Sequence, residues 1–101
     1  MKYLYSLVVF LLISTISLQA QDWPNLNRFR NENAKLPAPG KKENRVVFMG
    51  NSITEGWINL RPEFFSQNPY VNRGISGQTT PQMLLRFHQD VIDLQPKAVV
   101  I

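Results

Sequence analysis

One serine stands out as a candidate for chemistry: Ser52, in the stretch VVFMGNSITEGW that runs from Val46 to Trp57. It follows an apolar run and lies between Gly50 and Gly56. Where a buried strand gives way to a helical turn, free N–H groups and the helix dipole favour negative charge. Acyl transfer needs such donors, because a carbonyl under attack becomes an oxyanion. Ser52 is therefore a candidate nucleophile, although spacing alone favours a structural N-cap serine equally.

The glycines around Ser52 do not match other common motifs. A P-loop would need lysine where Trp57 stands, and a dinucleotide-binding fingerprint would need glycine in place of Ser52. The nucleophile-elbow pattern would need glycine where Thr54 stands. The chain has one histidine, His88, and no cysteine, and these residues with the few carboxylates show no ligand spacing. We therefore expect no metal site and no cofactor.

Three short apolar segments predict the strands that would position Ser52. RVVFM, from Arg45 to Met49, lacks polar alternation, as a strand buried on both faces should. YVNRG predicts a second strand, and QPKAVVI predicts a third that reaches Ile101. With helical segments between them, this order predicts an α/β layered fold with a parallel sheet.

The segment TPQMLLRFHQDVIDL predicts the helix before the third strand, with Thr80 as N-cap and Pro81 at the first helical position. Its apolar residues recur at helical spacing and should form one buried stripe: Met83, Leu84, Phe87, Val91 and Leu94. Arg86 is among the polar residues expected to lie away from that stripe.

The amino-terminal part predicts export and a leader. Residues 1–20 carry one cation and a long apolar run, which is typical of a signal peptide cleaved after Leu18-Gln19-Ala20. An uncleaved membrane anchor is the alternative, and no stable span is expected after cleavage. Residues 21–44 predict a helix over 22–36, capped by Asp22, and then a linker. The net charge of +4 does not indicate nucleic acid as a partner.

Two blocks of this chain resemble the SGNH or GDSL hydrolase family. FMGNSITEGW resembles its first block, and NRGISGQTTPQMLLRF resembles its second. LQPKAVVI is similar to a strand of the branch that includes platelet-activating-factor acetylhydrolase subunits. The resemblance implies a flavodoxin-like hydrolase domain of three layers, α/β/α, of which residues 45–101 form the amino-terminal part. The family's third block, G-x-N-D, and its late D-x-x-H block would lie beyond Ile101.

Carried over by position, the resemblance implies that Ser52 attacks an ester and that the N–H groups of Ser52 and Gly74 hold the oxyanion. Asn51 stands where the family usually has aspartate. His88 falls inside the predicted helix, with Leu85 rather than aspartate three residues before it, so it is not the expected base. Without a base this chain alone is expected to be nearly inactive, and with half a sheet it is not expected to fold alone.

The resemblance also suggests a substrate class, which is small acyl esters such as acetyl groups on glycans or other alcohols. Asn51, Trp57 and Gln78 are candidate substrate-binding residues, although packing is the alternative for Trp57. A non-catalytic glycan- or ligand-binding module on the same fold, and an anion- or nucleotide-binding domain, remain the alternative functions. The sequence does not indicate an oligomeric state.

Overall fold

The computed structural model describes residues 1–16 and 21–101, so the predicted cleavage site after Ala20 lies outside the described residues. Its elements follow one another as helices and parallel strands: α1 (Lys2–Ile16), α2 (Arg30–Lys35), β1 (Val46–Gly50), α3 (Ser52–Leu60), α4 (Pro62–Ser66), β2 (Tyr70–Gly74), α5 (Thr80–Asp90), a 3₁₀ turn (Ile92–Leu94) and β3 (Ala98–Val100). No helix in these two described ranges is long and apolar enough to cross a membrane.

Strand β1 is the centre of a three-stranded sheet in the order β2-β1-β3. Both neighbours run parallel to it, which confirms the predicted α/β fold with a parallel sheet. In this register Gly50, the last residue of β1, lies opposite Gly74, the last residue of β2. The carboxyl ends of these two strands therefore meet at one edge, where groups that bind ligands collect in open parallel sheets.

The two faces of β1 are covered by different sets of apolar residues. Val47 and Met49 pack on one face against Val91 and Leu94 from the end of the α5 region. Phe48 on the other face makes ring contacts with an aromatic cluster from α3, α4 and β2: Trp57, Phe64, Phe65 and Tyr70. Because both faces are buried, the strand has no polar alternation, as its sequence predicts.

The predicted leader helix over residues 22–36 is wrong for most of its length. Only Arg30–Lys35 is helical, and Asn25 has a φ of 58°, which interrupts the right-handed helix. Asp22 does act as a cap, since its carboxylate accepts the N–H groups of Leu26 and Asn27 at 2.8 and 2.9 Å. The turn that it caps packs Phe29 into the protein, where this ring is buried.

The N-cap of helix α5 lies one residue earlier than predicted, and the helix ends earlier than predicted. Thr79, not Thr80, is the N-cap, and it forms a capping box in which Gln82 Oε1 accepts the Thr79 N–H at 2.9 Å. The helix stops at Asp90, and a 3₁₀ turn follows until Gln95 adopts a left-handed φ of 54°. Pro81 accordingly lies at the second helical position, one place later than predicted but still in the first turn.

The predicted apolar stripe of α5 is partly wrong. Leu84 is 73% exposed, whereas Arg86, expected to lie away from the core, has no exposed surface. Asp90, four residues after Arg86, is equally buried and forms an ion pair with it. An opposite charge at this spacing lies on the same helix face, so the pair can be buried together.

We expect Thr79→Ala to lower the free energy of unfolding by about 1 kcal/mol, because it removes the hydroxyl half of the capping box. Thr80→Ala is the matched control. Thr80 is exposed and already helical, so its replacement should change stability by less than about 0.5 kcal/mol. Urea unfolding of the two variants measures the difference, and equal losses would contradict the observed cap.

Candidate active site

Ser52 is the first residue of α3 and lies two residues beyond the end of β1. The residue is exposed. Among the described residues, neither its N–H nor its hydroxyl has a hydrogen-bond partner, since the capping contact comes from Asn51, whose Oδ1 accepts the Ile53 N–H at 3.3 Å. Ser52 is therefore not the N-cap. Its N–H is one of the orphan donors of a helix start and is free to meet an incoming oxygen.

Gly74 lies at the adjacent strand end, but its N–H is already used. It donates to Asn72 Oδ1 at 2.9 Å, and Gly74 itself is buried. The Asn72 amide in turn donates to the Thr54 carbonyl at 2.6 Å, which ties β2 to α3. The prediction that Gly74 is an oxyanion donor therefore does not fit this geometry.

What requires glycine at position 74 is the close approach of α3. A Cβ there would lie 2.2 Å from the Glu55 backbone nitrogen and 2.7 Å from the Thr54 carbonyl carbon. Neither backbone atom can move aside as a flexible side chain could. Gly74 thus sets the distance between β2 and the first turn of α3, which starts at Ser52.

The segment after β2 folds back over the start of α3. The Ile75 N–H donates to the Gly50 carbonyl at 3.1 Å, and Ser76 donates its N–H to Glu55 Oε2 at 2.8 Å and its hydroxyl to the same oxygen. Gly77 follows with a φ of +78° in a turn closed by the Gln78 N–H on the Ile75 carbonyl. These bonds anchor the loop to Glu55, which lies one helical turn after Ser52 on α3.

Gly77 is the residue that sequence reasoning missed. It is exposed, and within residues 1–16 and 21–101 its N–H has no hydrogen-bond partner. The signal in the sequence was a second glycine, three residues after Gly74, in a polar loop that follows a strand. A position with φ above zero favours glycine on conformational grounds alone, so the sequence could not separate that requirement from a role in binding.

Two predicted substrate-binding residues are used for packing and structure. Gln78 is 8% exposed, and both ends of its amide are bonded, with Nε2 donating to the Pro24 carbonyl at 2.7 Å and Oε1 accepting from Arg86 at 2.5 Å. Trp57 stacks on Phe64 with ring centroids 4.7 Å apart. Asn51 remains exposed beside Ser52, with its Oδ1 serving as the helix cap.

His88 is not placed with Ser52. It lies about two turns along α5 from its start, is largely exposed, and pairs through Nδ1 with Asp93 at 3.1 Å. In the part of the chain that the structure describes, no group of histidine, cysteine and acidic residues could hold a metal ion.

The hydrogen bonds from Ser76 lower the pKa of Glu55 below its ordinary value of 4.5. Because the pKa is lower in the folded state, this carboxylate stabilises the fold above pH 4.5, and the contribution is lost as the pH falls through the folded-state pKa. We expect Glu55→Gln to be less stable than the wild type at pH 7, with the difference closing below about pH 4.5. Urea unfolding at several pH values measures it. Ser76→Ala removes the hydroxyl bond but keeps the Ser76 N–H bond to Glu55, so it should show a smaller loss of stability with the same direction of pH dependence. A loss in Glu55→Gln that does not depend on pH would contradict this assignment.

Comparison with solved structures found four matching chains, two of which are described below, whereas neither the protein-family models nor the curated proteins gave a match. A protein from Bacteroides fragilis described as an acylhydrolase is 59% identical, with a TM-score of 0.77 over 79% of this chain and 38% of its own. A GDSL-like lipase from Bacteroides thetaiotaomicron is also 59% identical, with a TM-score of 0.73 over 75% of this chain and 37% of its own. The chain thus spans less than two fifths of either protein.

Proposed function

The chain belongs to the SGNH/GDSL hydrolase family, and we propose that within it Ser52 is the nucleophile of an ester hydrolase. The observation that carries the proposal is an exposed serine at the first position of α3, beside the carboxyl end of the central strand, whose hydroxyl and N–H have no partner among the described residues. A serine that only capped the helix would accept a backbone N–H with its hydroxyl, whereas here the capping acceptor is the side-chain oxygen of Asn51.

The reaction proposed is acyl transfer in two steps. The Ser52 oxygen bonds to the ester carbonyl carbon as a base takes its proton, and the alcohol leaves after receiving a proton from that base. Water then attacks the acyl-enzyme, releases the acid and restores the serine. We propose that the base comes from the D-x-x-H block that the family resemblance implies, so the 101 residues alone should hydrolyse esters at a negligible rate. No cofactor is needed.

We propose that two backbone N–H groups hold the oxyanion, those of Ser52 and Gly77. Ser52 offers a free N–H at a helix start, where the dipole also favours negative charge. Gly77 replaces Gly74 in this role because the Gly74 N–H donates to Asn72, whereas the Gly77 N–H is unpaired in the described structure. One such donor is worth about 3 kcal/mol of transition-state stabilisation.

The substrate proposed is a small acyl ester, such as an acetyl group on a glycan or another alcohol, and the signal-like residues 1–20 support export as its setting. The two similar structures are described as an acylhydrolase and a lipase. They therefore support ester chemistry but do not indicate the length of the acyl group. A non-catalytic binding module on this fold is the alternative, and it predicts ligand binding without turnover.

The test uses the protein expressed from its complete coding sequence. We expect it to hydrolyse 4-nitrophenyl esters with acetate preferred over octanoate, and to react covalently with a fluorophosphonate. A preference for octanoate would contradict the small-acyl proposal. No hydrolysis and no labelling, in a folded protein, would contradict the enzyme and favour the binding module.

A further inference from the structure

The arginine buried in α5 makes three hydrogen bonds, and one of them reaches the turn that carries Ser52. Arg86 donates from Nε to Gln78 Oε1 at 2.5 Å, from Nη1 to Asp90 Oδ2 at 3.2 Å, and from Nη2 to the Gly50 carbonyl at 3.2 Å. Its side chain has no exposed surface. This guanidinium therefore joins two side chains of its own region to the end of the central strand.

The Gly50 carbonyl is the atom through which Arg86 can act on Ser52. This oxygen also accepts the Ile75 N–H at 3.1 Å, so both of its lone pairs are engaged. A carbonyl held from two sides fixes the plane of the peptide that joins Gly50 to Asn51. Only the Asn51 residue then separates this fixed plane from Ser52.

The two side chains that hold Arg86 are in turn bonded to the amino-terminal segment, residues 21–44. The Gln78 amide that accepts from Arg86 donates to the Pro24 carbonyl at 2.7 Å. Asp90, the ionic partner, accepts from Asn33 Nδ2 at 2.8 Å. No buried side-chain nitrogen or oxygen in the described residues lacks a partner, so this polar network is fully satisfied.

Packing alone does not explain an ion pair at this place. Burying two charges costs desolvation, and apolar side chains of similar volume usually replace such a pair with no loss of stability. What apolar side chains could not supply is a rigid donor for the Gly50 carbonyl, which the planar guanidinium provides.

We propose that Arg86 is a positioning residue for Ser52: held by Gln78 and Asp90, it fixes the Gly50 carbonyl and thereby the direction in which the nucleophile points. The inference rests on the proposed function of Ser52 as nucleophile. It adds that the amino-terminal segment, through Pro24 and Asn33, supports the geometry of the active site.

The test compares variants of the protein expressed from its complete coding sequence. The double variant R86M/D90N removes both members of the ion pair together. The buried Arg73, which Asp90 also attracts, keeps its hydrogen bonds to Asn33 and to the Asn72 carbonyl. We expect the double variant to fold, with kcat lowered about 100-fold, the effect of a displacement near 1 Å, and KM changed less than about threefold. The fluorophosphonate labelling rate should fall in parallel. A folded double variant with wild-type kcat and labelling rate would overturn the proposal.

A second variant keeps the test decisive if the double variant does not fold. R86K retains the charge for Asp90, but its single ammonium cannot also reach Gln78 and Gly50 in the fork geometry of arginine. We expect kcat to fall at least about tenfold in R86K. Unchanged turnover in folded R86K would overturn the proposal.

The matched control lies on the same helix. Gln82 Nε2 donates to the Trp23 carbonyl at 3.0 Å and so ties α5 to the amino-terminal segment without a hydrogen bond to Arg86, Asp90 or Gly50. Gln82→Met should lower stability and leave kcat within about twofold, whereas a loss of kcat equal to that of the Arg86 variants would show a general packing effect and overturn the proposal. If the wild type itself is not labelled by the fluorophosphonate, the proposed function fails; if it is labelled and the Arg86 variants react at its rate, only this inference fails.

Discussion

Replacing Ser52 by alanine is expected to lower kcat for ester hydrolysis by about 10⁴- to 10⁶-fold and to abolish fluorophosphonate labelling. The substitution removes the attacking oxygen, and neither flanking residue can take its place, since Asn51 is an amide and Ile53 is apolar. In the same turn, the Thr54 hydroxyl packs against Gly50, and the Glu55 carboxylate accepts hydrogen bonds from Ser76. The Ser52 N–H remains, so residual turnover would come from the oxyanion donors and substrate binding.

The same substitution should leave stability almost unchanged, which separates a nucleophile from a structural serine. Because the exposed hydroxyl of Ser52 has no partner in the described structure, Ser52→Ala should change the free energy of unfolding by less than about 0.5 kcal/mol. A loss near 1 kcal/mol would instead indicate a helix cap. Ser76→Ala is the serine control, and it should retain activity to within about tenfold. Wild-type turnover in Ser52→Ala would place the nucleophile elsewhere.

Gly74→Ala is expected to lower the free energy of unfolding by about 3 kcal/mol, at the upper end of what overpacking usually costs. The new methyl group would lie 2.2 Å from the Glu55 nitrogen and 2.8 Å from its Cα, so the start of α3 would have to move away from β2. This movement shifts Ser52, and we therefore expect kcat to fall about 100-fold as well. Urea unfolding and ester hydrolysis measure the two effects.

Gly56→Ala is the matched glycine control, on α3, the helix that Gly74 contacts. Nothing lies within 4 Å of a Cβ at this position, and alanine is favoured over glycine inside a helix. The variant should therefore gain up to about 1 kcal/mol of stability without loss of activity. A Gly74→Ala variant as stable as Gly56→Ala would contradict the close approach of β2 and α3.

The strands of this fold follow from the sequence because each is a short apolar or β-branched run ended by turn residues. The predicted second strand, YVNRG, coincides with β2, and the central strand differs from its prediction by one residue at each end. The burial of residues in helix α5 follows the hydrophobic periodicity of the sequence less closely. Periodicity assigns polar residues to the solvent, whereas Arg86 and Asp90 are buried together because their spacing of four lets each neutralise the other.

The candidate site likewise has features that the sequence predicts and features that it does not. Ser52 could be placed from sequence, since a serine after a buried parallel strand must lie at the sheet edge where helices begin. The hydrogen bond made by the Gly74 N–H could not be predicted, because it depends on the Asn72 side chain folding back along the strand. Nor could the role of Gln78, whose two partners lie 54 residues before it and eight after it. Such contacts are set by tertiary packing rather than by local pattern.

The most direct test of the account is to react the protein from its complete coding sequence with a fluorophosphonate, digest it, and locate the adduct by tandem mass spectrometry. The account predicts one adduct, on Ser52, in the peptide that joins β1 to α3, with none formed by Ser52→Ala. An adduct on Ser76 or on any other residue, or stoichiometric labelling that persists in Ser52→Ala, would contradict it.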